Sequence, residues 1–214
     1  FMGKLTNGIN GPFVGKVGPV VGSSRKGNTY MKGTYKKRTG RASLREKGNR
    51  NKFAMAQRWL KPVISFVREG FKNYSPTVEG FLAAKSWLLL HSFEGTQPDI
   101  SINPALVKLS HGSLPLPAGI RVEKGTGNRL QFSWNPATTE GAHGKDQAML
   151  LAYGAAGDDS SVVSDIPGQF RETGAGSLKL PEGKKMTYHI YLAFLAYDRS
   201  RQSDSVYLGT VDAE

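Results

Sequence analysis

Cysteine is absent from this chain of 214 residues. A protein without cysteine has no disulfide framework, no thiolate nucleophile and no cysteine ligand for a metal. The four histidines, His91, His111, His143 and His189, fall on different predicted elements and lack the close spacing of metal ligands. We therefore expect neither a metal site nor a cofactor.

Long apolar runs and catalytic motifs are missing too. The longest apolar stretch without a charged residue, 86–93, is far shorter than the roughly 20 residues of a membrane-spanning helix. The N-terminus lacks the basic and then apolar pattern of a secretory signal. No phosphate-binding loop, nucleophile elbow, zinc-protease or dinucleotide-binding motif occurs. These absences predict a protein that is not an enzyme and has neither a membrane span nor a signal peptide.

Acidic residues are scarce in the first third of the chain. Residues 1–75 contain seventeen lysines and arginines against two acids, Glu46 and Glu69, whereas residues 76–214 are slightly acidic. A positive charge concentrated in this way attracts polyanions and is the usual electrostatic footprint of nucleic-acid contact. Two alternatives stay open: the basic third pairs with the acidic remainder of a neighbouring copy, or it is a solvated surface.

The stretch from Ser43 to Lys72 predicts a helix with two opposed faces. Pro62 lacks a backbone donor and is expected to kink or split this helix. The apolar face consists of Phe53, Ala56, Leu60, Val63, Ile64, Val67 and Phe71. The opposite face, which we call the cationic ridge, consists of Lys47, Arg50, Arg58, Lys61, Arg68 and Lys72. The predicted polyanion-binding residues are this ridge and the basic run before it, Lys36, Lys37, Arg38 and Arg41.

The elements around this helix predict an α+β fold. Glycines and short β-prone pieces in residues 3–40 indicate a small antiparallel unit, and a second, largely apolar helix is expected from Thr77 to about Phe93. From Gly119 onward the apolar period becomes two, and about seven strands predict an antiparallel β-sandwich. The predicted domains are a basic, glycine-rich β plus helical domain over 1–112, a linker over 113–118 and the sandwich over 119–214.

Two resemblances accompany these patterns. The sandwich resembles a fibronectin type III domain through Leu130-Gln-Phe132-Ser-Trp134-Asn-Pro136, Tyr188 and the crossover at 196–203. This resemblance implies a fold and no particular function.

The nearly complete chain resembles an uncharacterised bacterial family, a domain of unknown function. The motifs that carry this resemblance are Met2-Gly3-Lys4, Gly15-Lys16-Val17-Gly18, Arg50-x-Lys52-Phe53-x-x-Ala56, Tyr74-Ser75-Pro76-Thr77 and Ser205-Val206-Tyr207-Leu208-Gly209. Met2 is the expected natural start of the chain. The resemblance implies no activity.

These observations predict a non-catalytic binding protein that contacts a polyanion, with nucleic acid as the first candidate. The alternative is a structural subunit of a repeated assembly, such as a virion or an appendage, whose partner is another copy or another protein. Tyr30, Tyr35 and Trp59 could stack on single-stranded bases, although core packing is the commoner role of such residues. A weaker alternative assigns carbohydrate stacking to Trp134, whose place in the strand alternation favours the core.

Overall fold

The computed structural model describes residues 3–5, 11–25, 27–37, 39–96, 98–156, 159–183 and 185–213. The chain divides into two compact units, Phe1–Ser43 and Leu44–Glu214. The residues predicted as a linker, 113–118, lie within the second of these units.

The first unit is a sheet of four antiparallel strands that lie side by side in chain order. The chain reverses twice at glycines with positive φ, Gly18 and Gly27, a conformation that L side chains rarely adopt. This arrangement confirms the predicted glycine-rich antiparallel unit. The strands are β1 (Lys4–Leu5), β2 (Phe13–Val17), β3 (Val20–Arg25) and β4 (Asn28–Gly33).

The second unit begins with three helices, α1 (Leu44–Leu60), α2 (Ile64–Gly70) and α3 (Gly80–His91). The break between α1 and α2 contains Pro62, as predicted. α3 begins later than expected, because the Ser75 hydroxyl accepts hydrogen bonds from the backbone N–H groups of Thr77 and Val78 and holds this segment in a turn. None of these helices has the length and apolar character that a membrane crossing requires, a finding limited to the described residues.

Two antiparallel sheets follow the helices and confirm the predicted sandwich. Their strands are β7 (Arg121–Lys124), β8 (Arg129–Ser133), β9 (Gln147–Ala156), β10 (Asp159–Asp165), β11 (Ala175–Lys179), β12 (Met186–Leu195) and β13 (Val206–Ala213). One sheet has four strands in the order β10-β9-β12-β13, and the other has three in the order β11-β8-β7. A separate two-stranded ribbon, β5 (Phe93–Glu94) and β6 (Ser101–Ile102), comes directly after α3.

The central strands β9 and β12 are buried on both faces. Residues such as Leu151 and Tyr191 pack in one core cluster with Leu60 and Leu88 of the helices. Their sequence neighbours point the other way and form a second cluster with the three-stranded sheet. The second unit is therefore a three-layer structure in which helices cover the outer face of the four-stranded sheet.

Candidate functional site

The predicted polyanion-binding residues lie on the surface of both units. Arg38 lies outside the described residues. The others are all exposed: Lys36, Lys37 and Arg41 in the first unit, and Lys47, Arg50, Arg58, Lys61, Arg68 and Lys72 in the second.

The cationic ridge is partly neutralised by carboxylates of its own helices. An Arg50 guanidinium nitrogen lies 2.6 Å from a Glu46 carboxylate oxygen. The Lys72 ammonium lies 3.7 Å from Glu69. Exposed pairs of this kind add little stability, but each one reduces the net positive charge that the ridge presents to a ligand.

Three members of the ridge border one open groove on α1. Arg50, Arg58 and Lys61 surround the side chains of Phe53 and Ala54 in a groove of about 750 Å³. The structure therefore brings together half of the ridge.

Phe53 corrects one expectation, because it belongs to the predicted apolar face and is nevertheless 51% exposed. Its ring lies 4.0 Å from the ammonium of Lys85 on α3, a buried lysine that also donates a hydrogen bond to Gln57. Burial lowers the pKa of Lys85 from its ordinary value. Phe53 therefore covers a buried cation, and such a cation–π contact stabilises the charge where water is excluded.

Arg58 and Lys61 also border a second groove, of about 650 Å³, next to Trp59, Tyr153 and Asp159. The Trp59 ring meets the Tyr153 ring edge to face at a centroid distance of 4.9 Å. Trp59 is therefore held by its neighbours, and Asp159 brings negative charge to the edge of the groove. Both features make this groove a poorer site for a polyanion than a purely basic surface.

The sheet of the first unit has two chemically different faces. The register places Lys16 opposite Val21 and Val21 opposite Lys32, and it places Tyr30 opposite Ser23. Because alternate residues of a strand point to the same side of a sheet, Lys16, Tyr30 and Lys32 share one face, which we call the lysine face.

The opposite face of this sheet is apolar. Phe13 lies over Gly22, and Phe13 and Val17 both lie against Gly3. Met31 pairs with Gly22 and points to this side as well. Val17 and Met31 are largely exposed, so this apolar face has little cover.

The charge of the first unit is entirely of one sign. Residues 1–43 contain nine lysines and arginines and no aspartate or glutamate. The described lysines, Lys4, Lys16, Lys32, Lys36 and Lys37, are all exposed. No carboxylate side chain within this unit can neutralise them, in contrast to the ridge.

A polar cluster that sequence reasoning missed joins two distant segments of the second unit. Asp204 accepts hydrogen bonds from the Lys108 ammonium at 2.7 Å and from the Gly112 backbone N–H at 3.1 Å. A third contact joins Asp204 to His111 Nδ1 at 2.9 Å. Ser110 strengthens the junction by donating to the Ser203 carbonyl at 2.6 Å. More than 90 residues separate these partners, so no local pattern could have paired them. The cluster ties a loop to the sandwich and has a structural role.

Replacing Asp204 with asparagine is expected to reduce stability at neutral pH and to leave it unchanged at acid pH. Burial opposes ionisation of Asp204, but the hydrogen bonds from Lys108 and Gly112 outweigh it and hold the pKa below its ordinary value. A lowered folded-state pKa gives stability that is present above the unfolded pKa, about 4, and is lost as the pH falls through the folded value. The Asp204 side chain is 44% exposed, so solvent screens the pair and the effect should stay below about 1 kcal/mol. Urea unfolding of the wild type and of Asp204→Asn at pH 7 and pH 3 measures this loss of stability. An equal loss at both pH values would contradict a stabilising role of the ionised carboxylate.

The carbohydrate hypothesis for Trp134 has a structural outcome. Trp134 is buried and its indole nitrogen donates a hydrogen bond to the Arg171 carbonyl at 2.8 Å. Its ring is therefore part of the core and is inaccessible to a carbohydrate. Within the described part of the chain, no group of three or more histidine, aspartate or glutamate side chains is placed to hold a metal ion.

Comparison with known protein families gives a match over most of the chain. The model of a family described as a family of unknown function, DUF6266, matches residues 12–209, which is nearly the whole chain. Neither a curated protein nor a solved structure matches the sequence.

Proposed function

We propose that this chain, which belongs to the DUF6266 family of unknown function, is a non-catalytic binding protein whose basic N-terminal third contacts nucleic acid. The observation that carries the proposal is the charge of the first unit, which has nine cationic side chains and no acidic one. Its described lysines are exposed on and directly after a sheet. A surface of this kind concentrates phosphates and releases their counterions on binding.

Phosphate contacts supply affinity without sequence preference. The first unit supplies Lys36, Lys37, Arg38 and Arg41 from the basic run, together with the lysines of its sheet. The ridge contributes less per residue, because Arg50 and Lys72 already have carboxylate partners. We therefore expect binding that depends steeply on salt and weakly on sequence.

Removing three lysines of the first unit should make binding less salt-dependent. If the protein neutralises about six phosphates, the logarithm of its affinity for duplex DNA should fall with the logarithm of salt concentration at a slope of about −5. In the triple variant Lys32→Gln, Lys36→Gln and Lys37→Gln the slope should be shallower by about 2 to 3, because each lost contact removes about 0.9. Fluorescence anisotropy of a labelled duplex over a salt series measures both slopes.

The matched control removes three exposed cations from the sandwich instead, by the changes Arg121→Gln, Arg129→Gln and Lys145→Gln. This variant has the same net charge as the first and should retain the wild-type slope. Equal losses in the two triple variants would assign binding to net charge alone. A flat salt response of the wild-type protein would remove the proposed function.

A second candidate is a structural subunit of a repeated assembly. The observation that favours it is the apolar face of the N-terminal sheet, where Leu5, Val17 and Met31 are exposed. An open sheet with exposed apolar side chains is suited to pairing with another chain. Light scattering after gel filtration tests this role, and a strict monomer at high concentration would contradict it.

A further inference from the structure

We infer that the lysine face of the first unit binds single-stranded nucleic acid in preference to duplex, with Tyr30 as the residue on which a base stacks. The inference rests on the proposed function and names its substrate class. It depends on where the register places Tyr30 relative to the lysines.

Tyr30 presents an open aromatic ring in the interior of a strand. Its side chain is 48% exposed, and its cross-strand neighbour on the same face is the small Ser23. No aromatic ring or cation of the described residues packs on it. A tyrosine exposed in this way is not packed in a core. It is typical of a stacking platform, because every base has a π-face that can lie on an exposed ring.

Two lysines lie in the row of the sheet next to this ring, at distances that suit a nucleic-acid backbone. Lys32 is two residues along the same strand, about 7 Å from Tyr30, and Lys16 is two strands away from Lys32, about 10 Å across the sheet. Both are exposed on the same face as Tyr30. When a nucleic-acid strand places one base on Tyr30, the lysine ammonium groups are therefore within reach of the phosphates next to that base.

The segment after β4 repeats this combination. Tyr35 is 88% exposed and is followed directly by the exposed Lys36 and Lys37. Aromatic side chains interleaved with cations are the combination that proteins use to bind single strands without sequence preference. In duplex DNA the bases are stacked on one another and their faces are not available to a side chain, so the lysines would act alone.

The test compares two ligands and uses the full chain. Labelled oligodeoxythymidine of about 15 nucleotides, within the usual site size of single-strand binders, and a duplex of equal length are titrated at one low salt concentration. Tyr30→Thr keeps a residue that favours strands, and Tyr30→Phe keeps the ring. Tyr74→Ala removes an equally exposed tyrosine from the second unit and serves as the control.

Tyr30→Thr should weaken single-strand binding by about 5- to 150-fold, the contribution of one stacked base, and change duplex binding less than twofold. Tyr30→Phe and Tyr74→Ala should bind like the wild type. Equal affinity of the wild type for both ligands, or an equal effect of Tyr30→Thr on both, would overturn the inference. In that case a steep salt dependence would leave the proposed function standing, whereas no salt-dependent binding of either ligand would remove both.

Discussion

Replacing Asp146 with alanine is expected to lower the free energy of unfolding by about 3–5 kcal/mol, because it leaves an uncompensated charge in the interior. Asp146 and Arg171 form an ion pair that is almost completely removed from solvent, with side chains 1% and 0% exposed. Arg171 Nε lies 3.3 Å from Asp146 Oδ2. Urea unfolding followed by far-UV circular dichroism measures the loss.

Few other groups around Arg171 can compensate its charge when the Asp146 carboxylate is removed. Burial lowers the pKa of Arg171 from its ordinary value, and Asp146 acts against that shift. One guanidinium nitrogen donates to the Pro115 carbonyl at 2.6 Å, and the group lies 4.7 Å from the Phe194 ring. Among the described residues, neither Nε nor Nη1 has a hydrogen-bond partner. Asp146 also accepts backbone hydrogen bonds from His143 and Tyr197, so its loss affects two loops as well as the charge.

The matched control removes one partner of an exposed pair. Lys179 and Glu182 are 2.9 Å apart and mostly exposed, and Glu182→Ala should have no measurable effect on stability. Adding Arg171→Met to Asp146→Ala should recover part of the lost stability, because the buried charge is then gone. Wild-type stability of Asp146→Ala would contradict this account of the ion pair.

The sandwich was predictable because its strands follow a simple local rule. In β8 the buried Leu130 and Phe132 alternate with the exposed Gln131 and Ser133, and this period of two marks a strand with one face in the core. All seven predicted strands are present. The split of the first helix was predictable for a similarly local reason, the missing donor of Pro62.

The packing of the helices on the sandwich was not predictable from the sequence. The prolines and glycines of residues 95–118 are typical of a linker, and they predicted a domain boundary at 113–118. Residues just before 113–118 have distant partners, such as Ser203 for Ser110 and Asp204 for Lys108. Contacts over such separations leave no periodic signal.

The candidate site also has features that the sequence predicted and features that it did not. Exposure of the cationic side chains followed from their spacing and charge. The common face of Lys16, Tyr30 and Lys32 did not, because it depends on the register between strands β2, β3 and β4. Phe53 was wrongly placed in the core because its partner, Lys85, lies on another helix.

Leu88→Ala should destabilise the second unit by about 2–5 kcal/mol, the usual cost of truncating a buried leucine. Leu88 is fully buried on α3 and belongs to the core cluster that joins the helices to β9 and β12. Leu90 provides a matched control on the same helix, because it is 74% exposed and Leu90→Ala should change stability by less than about 0.5 kcal/mol. Urea unfolding of the two variants gives both values.

The urea concentration at the unfolding midpoint of Leu88→Ala also tests whether the helices and the sandwich unfold together. The chain has three tryptophans, so with Trp59 and Trp87 replaced by phenylalanine the fluorescence of Trp134 reports on the sandwich interior. In that background Leu88→Ala should move the Trp134 midpoint to lower urea concentration, in step with the loss of helical circular dichroism, because strands β9 and β12 contribute to both core clusters. An unmoved Trp134 midpoint beside an earlier helical transition would instead favour separate domains divided near residues 113–118.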